Sequence, residues 1–167
     1  AGVELLEMNA EQLAFEDACF DFVFSYDTFE HFSDPGKVLH EAARVLQPGG
    51  LLYLVFGPLY FSPRGLHAYR TITVPYCHVL FPPHVLNGFA ESLGQGPINF
   101  EAVNGWPVRR FRALFDGCAS LEKADYRENR DVSAVELIRR YPSCFRSKTD
   151  CFDDLVVSSI EAVFRKR

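Results

Sequence analysis

A chain of 167 residues, 48% hydrophobic and 23% charged, is long enough to bury the core of one globular domain. A formal charge of -5 gives no electrostatic footprint for nucleic acid or an anionic membrane, and the basic end Arg165-Lys166-Arg167 reads as a solvated tail. Five cysteines with no CxxC pair argue against a disulfide framework or zinc knuckle and fit a reducing cytoplasm, while no apolar run reaches membrane-span length and the acidic opening lacks the basic start of a secretory leader.

The chain opens at Ala1 without methionine and runs almost at once into the apolar-rich segment Val3 to Met8, so its amino end is expected to be missing. That segment predicts a strand, with Asn9-Ala10-Glu11-Gln12 as its exit loop. Phe20 to Ser25, aromatic and β-branched apart from one acid, predicts a second, mostly buried strand leaving through Tyr26-Asp27-Thr28. Asp34 before Pro35 is an N-cap followed by the residue favoured at a first helical position. Val38, Leu39, Ala42, Val45 and Leu46 then recur at helical spacing until Pro48-Gly49-Gly50, beyond which Leu51 to Phe56 predicts a third strand. Strand, helix, strand with a crossover of this length makes the strands parallel and the class α/β.

From Gly57 to Trp106 prolines, glycines, aromatics and histidines crowd together without a long period, which predicts an insertion or lid within a single domain spanning 1–167. A short helix is expected there at Val85 to Ala90. Val108, Phe111, Leu114 and Phe115 predict a helix before Gly117, and Leu121 to Tyr126 a strand. Asp131 is placed to cap a helix running through Val135 and Ile138 to Tyr141, and Asp154 to Phe164 predicts a long closing strand.

In open parallel sheets ligands bind beyond the carboxyl ends of the strands. Three loops qualify: Asn9-Ala10-Glu11, Ser25 through His31, and Gly57-Pro58-Leu59-Tyr60. They carry much of the polar and acidic chemistry that flanks the apolar strands.

The stretches Ala10 to Asp17, Phe20 to Ser25, Glu30-His31 and Ala43-Arg44-Val45-Leu46-Gln47-Pro48-Gly49-Gly50-Leu51-Leu52 resemble, in order and spacing, the second half of the class I S-adenosylmethionine-dependent methyltransferase core. The resemblance covers about a third of the chain, roughly Val3 to Phe56. It implies a Rossmann-like sheet of order 3-2-1-4-5-7-6 with strand 7 antiparallel. Val3 to Met8, Phe20 to Ser25 and Leu51 to Phe56 would be strands 3, 4 and 5, followed by an insertion. Leu121 to Tyr126 and Asp154 to Phe164 would be strands 6 and 7. Strands 1 and 2, with the glycine-rich loop and the acid that holds the ribose, would be missing, leaving the sheet incomplete.

The resemblance also implies S-adenosyl-L-methionine as cofactor and a small-molecule methyl acceptor, while the charge balance predicts no nucleic-acid or membrane partner. Asn9 stands where the family usually has an Asp that accepts from the adenine amino group, and its amide oxygen can still accept. Ala10 would offer its backbone N–H to the ring. Ser25, Tyr26 and Asp27 would pass beside the methionine part, where an acid and an aromatic face suit a sulfonium, and Glu30 is a further cofactor-site candidate by its place beyond the strand end. Methyl transfer is an in-line displacement, needing a base where the acceptor loses a proton. His31 is the first candidate base and His67 and His78 follow. Tyr60, Tyr69 and Tyr76, with His67 and His78, are candidates for an acceptor pocket. His78 and His84 with Cys77 do not have a recognised ligand spacing, so no metal is expected.

Glu11 is expected to support its turn and Arg44 to answer the helix dipole. Two functional readings stand: a small-molecule methyltransferase whose present chain is an inactive fragment, or a non-catalytic methyltransferase-like interaction module. A nucleotide-cofactor oxidoreductase is a third, lacking its glycine fingerprint. An exposed sheet edge predicts self-association.

Overall fold

A computed structural model describes residues 2–68 and 70–167; Tyr69, expected in the acceptor pocket, lies outside the described residues. Four strands, β1 (Phe20–Tyr26), β2 (Leu46–Phe56), β3 (Leu121–Arg130) and β4 (Val157–Lys166), form one sheet in the order β1-β2-β4-β3. β1 pairs parallel with β2, whereas β4 runs antiparallel to both β2 and β3. β1, β2 and β3 therefore point the same way, and their exit loops gather along one edge.

The β1–β2 crossover is α1 (Pro35–Val45). Asp34 starts it as its side-chain Oδ1 accepts from the backbone N–H of Gly36 at 3.0 Å and of Lys37 at 3.1 Å, satisfying two of the donors a helix start leaves free. Removing that acceptor in Asp34→Ala is expected to lower stability by about 1 kcal/mol in urea denaturation. The helix lays Val38, Leu39, Ala42 and Ala43 on the sheet, where α4 (Val108–Gly117) adds Val108, Phe111 and Phe115. Both helices cover the face from which Leu52, Leu54 and Phe56 of β2 and Ile160, Ala162 and Phe164 of β4 project, the period-two alternation of a strand with one buried side. At the far end Arg112 of α4 grips Glu128 of β3 with two bonds of 2.7 and 2.6 Å and reaches Asp153 at 2.7 Å.

Several elements depart from the sequence-based expectation. Val3 to Met8 is not a strand: Val3 and Leu5 are 92% and 91% exposed, and no described strand lies beyond β1 to pair with the segment. A strand needs a ladder, and apolar composition alone does not supply one. Phe20 to Ser25 does form β1, but it is not mostly buried. Phe22, Phe24 and Tyr26 are 53–67% exposed, because α1 covers only the other face, where Val23 packs. Pro48-Gly49-Gly50 does not precede β2 but sits inside it, looped out as a bulge where the pairing jumps from Phe20–Leu46 to Phe22–Leu51; Gly49, at φ 83°, takes the turn that an L side chain rarely adopts.

The closing strand starts at Val157. Its expected first residues form α7 (Phe152–Val156), with Asp153 and Asp154 in the first turn, where carboxylates suit the helix dipole. Asp131 does not cap α5 (Val135–Arg140). Its carboxylate is taken by the N–H and hydroxyl of Ser133 in a tight turn just before the helix.

Residues 57–106 contain α2 (Cys77–Leu80) and α3 (Pro83–Ser92). They do not cover the strand ends alone. Residues 131–156, with α5, α6 (Pro142–Arg146) and α7, pack against them: Tyr76 and Val79 share a buried cluster with Ala134, Phe145, Leu155 and Val156. Two segments that leave the same sheet edge thus form one layer over the exit loops.

Candidate functional site

The loop before β1 is held against α1 by Arg44. Its guanidinium donates to the carbonyls of Leu13 (2.9 Å) and Phe15 (2.8 Å) and to the carboxylates of Asp17 and Glu41, while Glu41 also accepts from the N–H of Leu13. Arg44 is thus structural, as a clamp on residues 13–17 more than as a partner of the dipole. The bonds from Arg44 hold the Glu41 carboxyl down at about 2. Glu11 supports the same loop, its carboxylate accepting from the N–H of Asp34 at 3.1 Å and facing Lys37 at 3.7 Å.

So fixed, the loop forms one wall of an open cleft of about 390 Å³ between β1 and α1. Ala10, Ser25 and Tyr26 line it together with Val23, Phe29 and Phe32. Its polar groups include the Ser25 and Thr28 hydroxyls, which bond to each other. Asn9 lies beside the cleft with its Oδ1 accepting from the N–H of Glu11 at 2.9 Å, an Asx turn that occupies one of its lone pairs. Asp27 stands at the exit of β1 with φ 49°, a left-handed conformation for a residue with a side chain, held by its N–H to the carbonyl of Val55 at 2.8 Å.

A second group of predicted residues meets next to this cleft. Glu30 is 1% exposed. Its Oε1 accepts from the N–H of Gly57 at 3.2 Å and faces His31 Nε2 at 3.7 Å, while Oε2 is buried without a partner. Burial pushes its carboxyl above the usual carboxylate range, only partly offset by the hydrogen bonds. His31 Nδ1–H donates to the carbonyl of Ala102, and His67 Nε2–H to that of Pro58 at 2.7 Å. The two rings meet edge to face with centroids 5.0 Å apart. Burial pulls the His67 imidazole below its ordinary value, and its φ of 60° marks a second left-handed backbone at the site.

The other candidates lie apart from these two clusters. His78 donates from Nε2 to the carbonyl of Tyr60, its ring edge-on to the Tyr60 ring at 4.9 Å, and its Nδ1 is buried without a partner. Burial pulls this imidazole down to about 4 and pushes the Tyr60 phenol up. A folded state that refuses a proton which the unfolded chain takes near pH 6.5 loses stability as pH falls from 6.5 toward 4, and the loss levels off below that. The span corresponds to ~3 kcal/mol. Chemical denaturation across this window should show the slope in the native protein and a flatter profile in His78→Gln.

Tyr76 corrects an expectation. It does not line an acceptor pocket: it is fully buried, its hydroxyl donates to the carbonyl of Leu155 at 2.9 Å, and its ring meets Phe145 edge to face. It pins the two covering segments together, and burial pushes its phenol well above the usual range. Sequence reading missed the backbone of the site, namely the Gly57 N–H on Glu30 and the carbonyls of Pro58 and Ala102 behind the two histidines. It also missed Asn104, whose N–H donates to the carbonyl of Glu30 at 2.8 Å and whose amide reaches that of Phe32 at 3.2 Å. The Asn104-Gly105 pair was a turn signal, but nothing local tied it to Glu30.

Residues 1–54 match the family model described as a methyltransferase domain. The chain is 43% identical over 60 residues to the 27-O-demethylrifamycin SV methyltransferase of Amycolatopsis mediterranei, covering 36% of this chain and 22% of that protein. It is 31% identical over 128 residues to the demethylmenaquinone methyltransferase of Lysinibacillus sphaericus, covering 75% of this chain and 51% of that protein. Among solved structures, a SAM-dependent methyltransferase of Thermotoga maritima superposes with a TM-score of 0.54 at 16% identity, covering 99% of this chain and 65% of the other. The chain spans about half the length of the second of these curated relatives and about a fifth of the first.

Proposed function

We propose that this chain, which belongs to the class I S-adenosyl-L-methionine-dependent methyltransferases, is part of an enzyme that methylates a small-molecule acceptor. The observation that carries the reading is the strand order β1-β2-β4-β3 with β4 antiparallel, which corresponds to the 4-5-7-6 portion of that family's sheet, with the predicted loops on its carboxyl edge. S-adenosyl-L-methionine is the family's cofactor. Two relatives named for rifamycin and menaquinone precursors support a small acceptor.

The residues fit one flank of the cofactor. Ala10, Ser25 and Tyr26 line an apolar cleft suited to it, with the Asp27 carboxylate at the exit of β1, where it suits a sulfonium, and Glu30 buried behind the same loop. Asn9 contributes less, one lone pair of its oxygen being committed to Glu11. When bound, the cofactor supplies the transferable methyl. His31 is the candidate base, since Nδ1–H is held by Ala102 and the lone pair is left on Nε2. Tyr60, His67 and His78 stand on the acceptor side, His78 acting through the Tyr60 loop it holds. The described residues include no glycine-rich strand-to-helix loop on the cleft, so the chain alone is expected to be inert. The bare edge of β1, flanked by exposed Phe22, Phe24 and Tyr26, supports self-association. No helix among the described residues is long and apolar enough to cross a membrane, and free cysteines support a cytoplasmic setting.

The test is calorimetric titration of S-adenosylhomocysteine into the protein that carries this chain. Stoichiometric binding, weakened when Ser25→Trp fills the cleft, is the expected result; absence of binding would favour a non-catalytic module.

A further inference from the structure

We propose that Glu30, His31 and His67 form a binding site for a divalent first-row transition cation of the Zn²⁺ type. One donor atom from each lies within 4.8 Å of the other two. The separation of 3.7 Å between Glu30 Oε1 and His31 Nε2 is close to the edge of about 3.3 Å that tetrahedral ligands at usual zinc distances would span, so small side-chain rotations close it.

Three further features favour a cation. First, both imidazoles have one nitrogen committed as donor to a backbone carbonyl, Nδ1 of His31 to Ala102 and Nε2 of His67 to Pro58. This is the outer-shell arrangement that fixes the tautomer of a metal-binding histidine and leaves the opposite nitrogen as a lone-pair donor. Second, Glu30 is buried with Oε2 lacking any partner, and a carboxylate oxygen removed from water without a donor or cation is costly. The N–H of Gly57 meets only the other oxygen. Third, Asp27 stands near enough to act electrostatically on both Glu30 and His67, bringing a second negative charge to the site.

Two imidazoles and one carboxylate suit zinc and its first-row neighbours, whereas Mg²⁺ and Ca²⁺ prefer all-oxygen sites. The site draws on two loops that leave adjacent strands, with Ala102 behind. This inference stands independently of methyl transfer. A bound cation would take the His31 lone pair out of proton transfer and polarise an acceptor oxygen in its place.

The experiment uses the full chain, stripped with chelator, dialysed against Zn²⁺ and gel-filtered before metal analysis; Co²⁺ titration then reports the ligand field by visible absorption. One Zn²⁺ per chain is expected, with an intense Co²⁺ spectrum of a low-coordinate site. Affinity should fall at least ~10-fold in both Glu30→Gln and His67→Asn. Asparagine tolerates the positive φ at 67, and circular dichroism checks the fold of each variant. His84→Asn, an exposed histidine outside the cluster, should bind normally. Failure to retain Zn²⁺, or retention undiminished in both cluster variants, overturns the site. A separate S-adenosylhomocysteine titration reads the methyltransferase assignment, so either idea can fail alone.

Discussion

Phe29→Ala is expected to lower the free energy of unfolding by about 3–5 kcal/mol, the range for truncating a buried aromatic side chain to alanine. Phe29 follows β1, yet it is 1% exposed and sits at the centre of the core. Its ring lies 5.1 Å from Phe56, 5.8 Å from Phe32, 6.0 Å from Phe115 and 6.2 Å from Phe111. These neighbours belong to β2, α4 and its own loop, so none can collapse into the space without leaving another contact. The same side chain lines the cleft, and its backbone carbonyl is 3.4 Å from the amide of Asn104. Urea denaturation should register the loss as a lower midpoint at unchanged slope. A cost below ~1 kcal/mol would mean that the aromatic cluster repacks and that the loop after β1 is not anchored through its core residue.

The sequence announced what local chemistry determines. Asp34-Pro35 marks the start of α1 since a cap and a first-turn proline act within three residues. The apolar spacing from Val38 to Val45 marks the buried face because that face repeats with the helix. Burial of β1 was not legible: Phe22, Phe24 and Tyr26 alternate with Val23 and Ser25, and only tertiary structure decides which face is covered. Val3 to Met8 has the composition of a strand, but pairing is a long-range event.

The site divides the same way. Ser25, Tyr26 and Ala10 could be nominated from loops following strands, and the cleft gathers them. Glu30-His31 could be nominated too, but not the arrival of His67 from a different loop beside them. Nor could periodicity detect residues 131–156 as part of the cover: α5, α6 and α7 span only five or six residues each, too short for a helical stripe. Tyr76 illustrates the limit of residue type as a guide, since an aromatic in a histidine-rich insertion serves as well for a buried pin as for a substrate wall.

Gly57→Ala should have the other large effect, about 3 kcal/mol or more, and should damage the site as well as the fold. Gly57 leaves β2 at φ 146°, a conformation that costs a residue with a side chain of order 1–3 kcal/mol. A Cβ there would also lie 2.6 Å from the Ser158 carbonyl oxygen and 2.7 Å from Ser159 Cβ, so β2 and β4 would have to separate. Those strands pair through Phe56 and Ile160 immediately beside it, and the N–H of Leu59 bonds to the Ser158 carbonyl at 2.8 Å. Displacing Gly57 withdraws the N–H that Glu30 accepts and shifts Pro58, whose carbonyl orients His67. Gly88→Ala offers the opposite case. Gly88 is exposed in α3 with nothing within 4 Å of the added carbon, so it should gain up to ~1 kcal/mol. Thermal and urea denaturation of the two variants side by side separate close packing from backbone propensity: if Gly57→Ala were as stable as the native chain, the junction of β2, β4 and the Glu30 loop could not be as tight as its distances require.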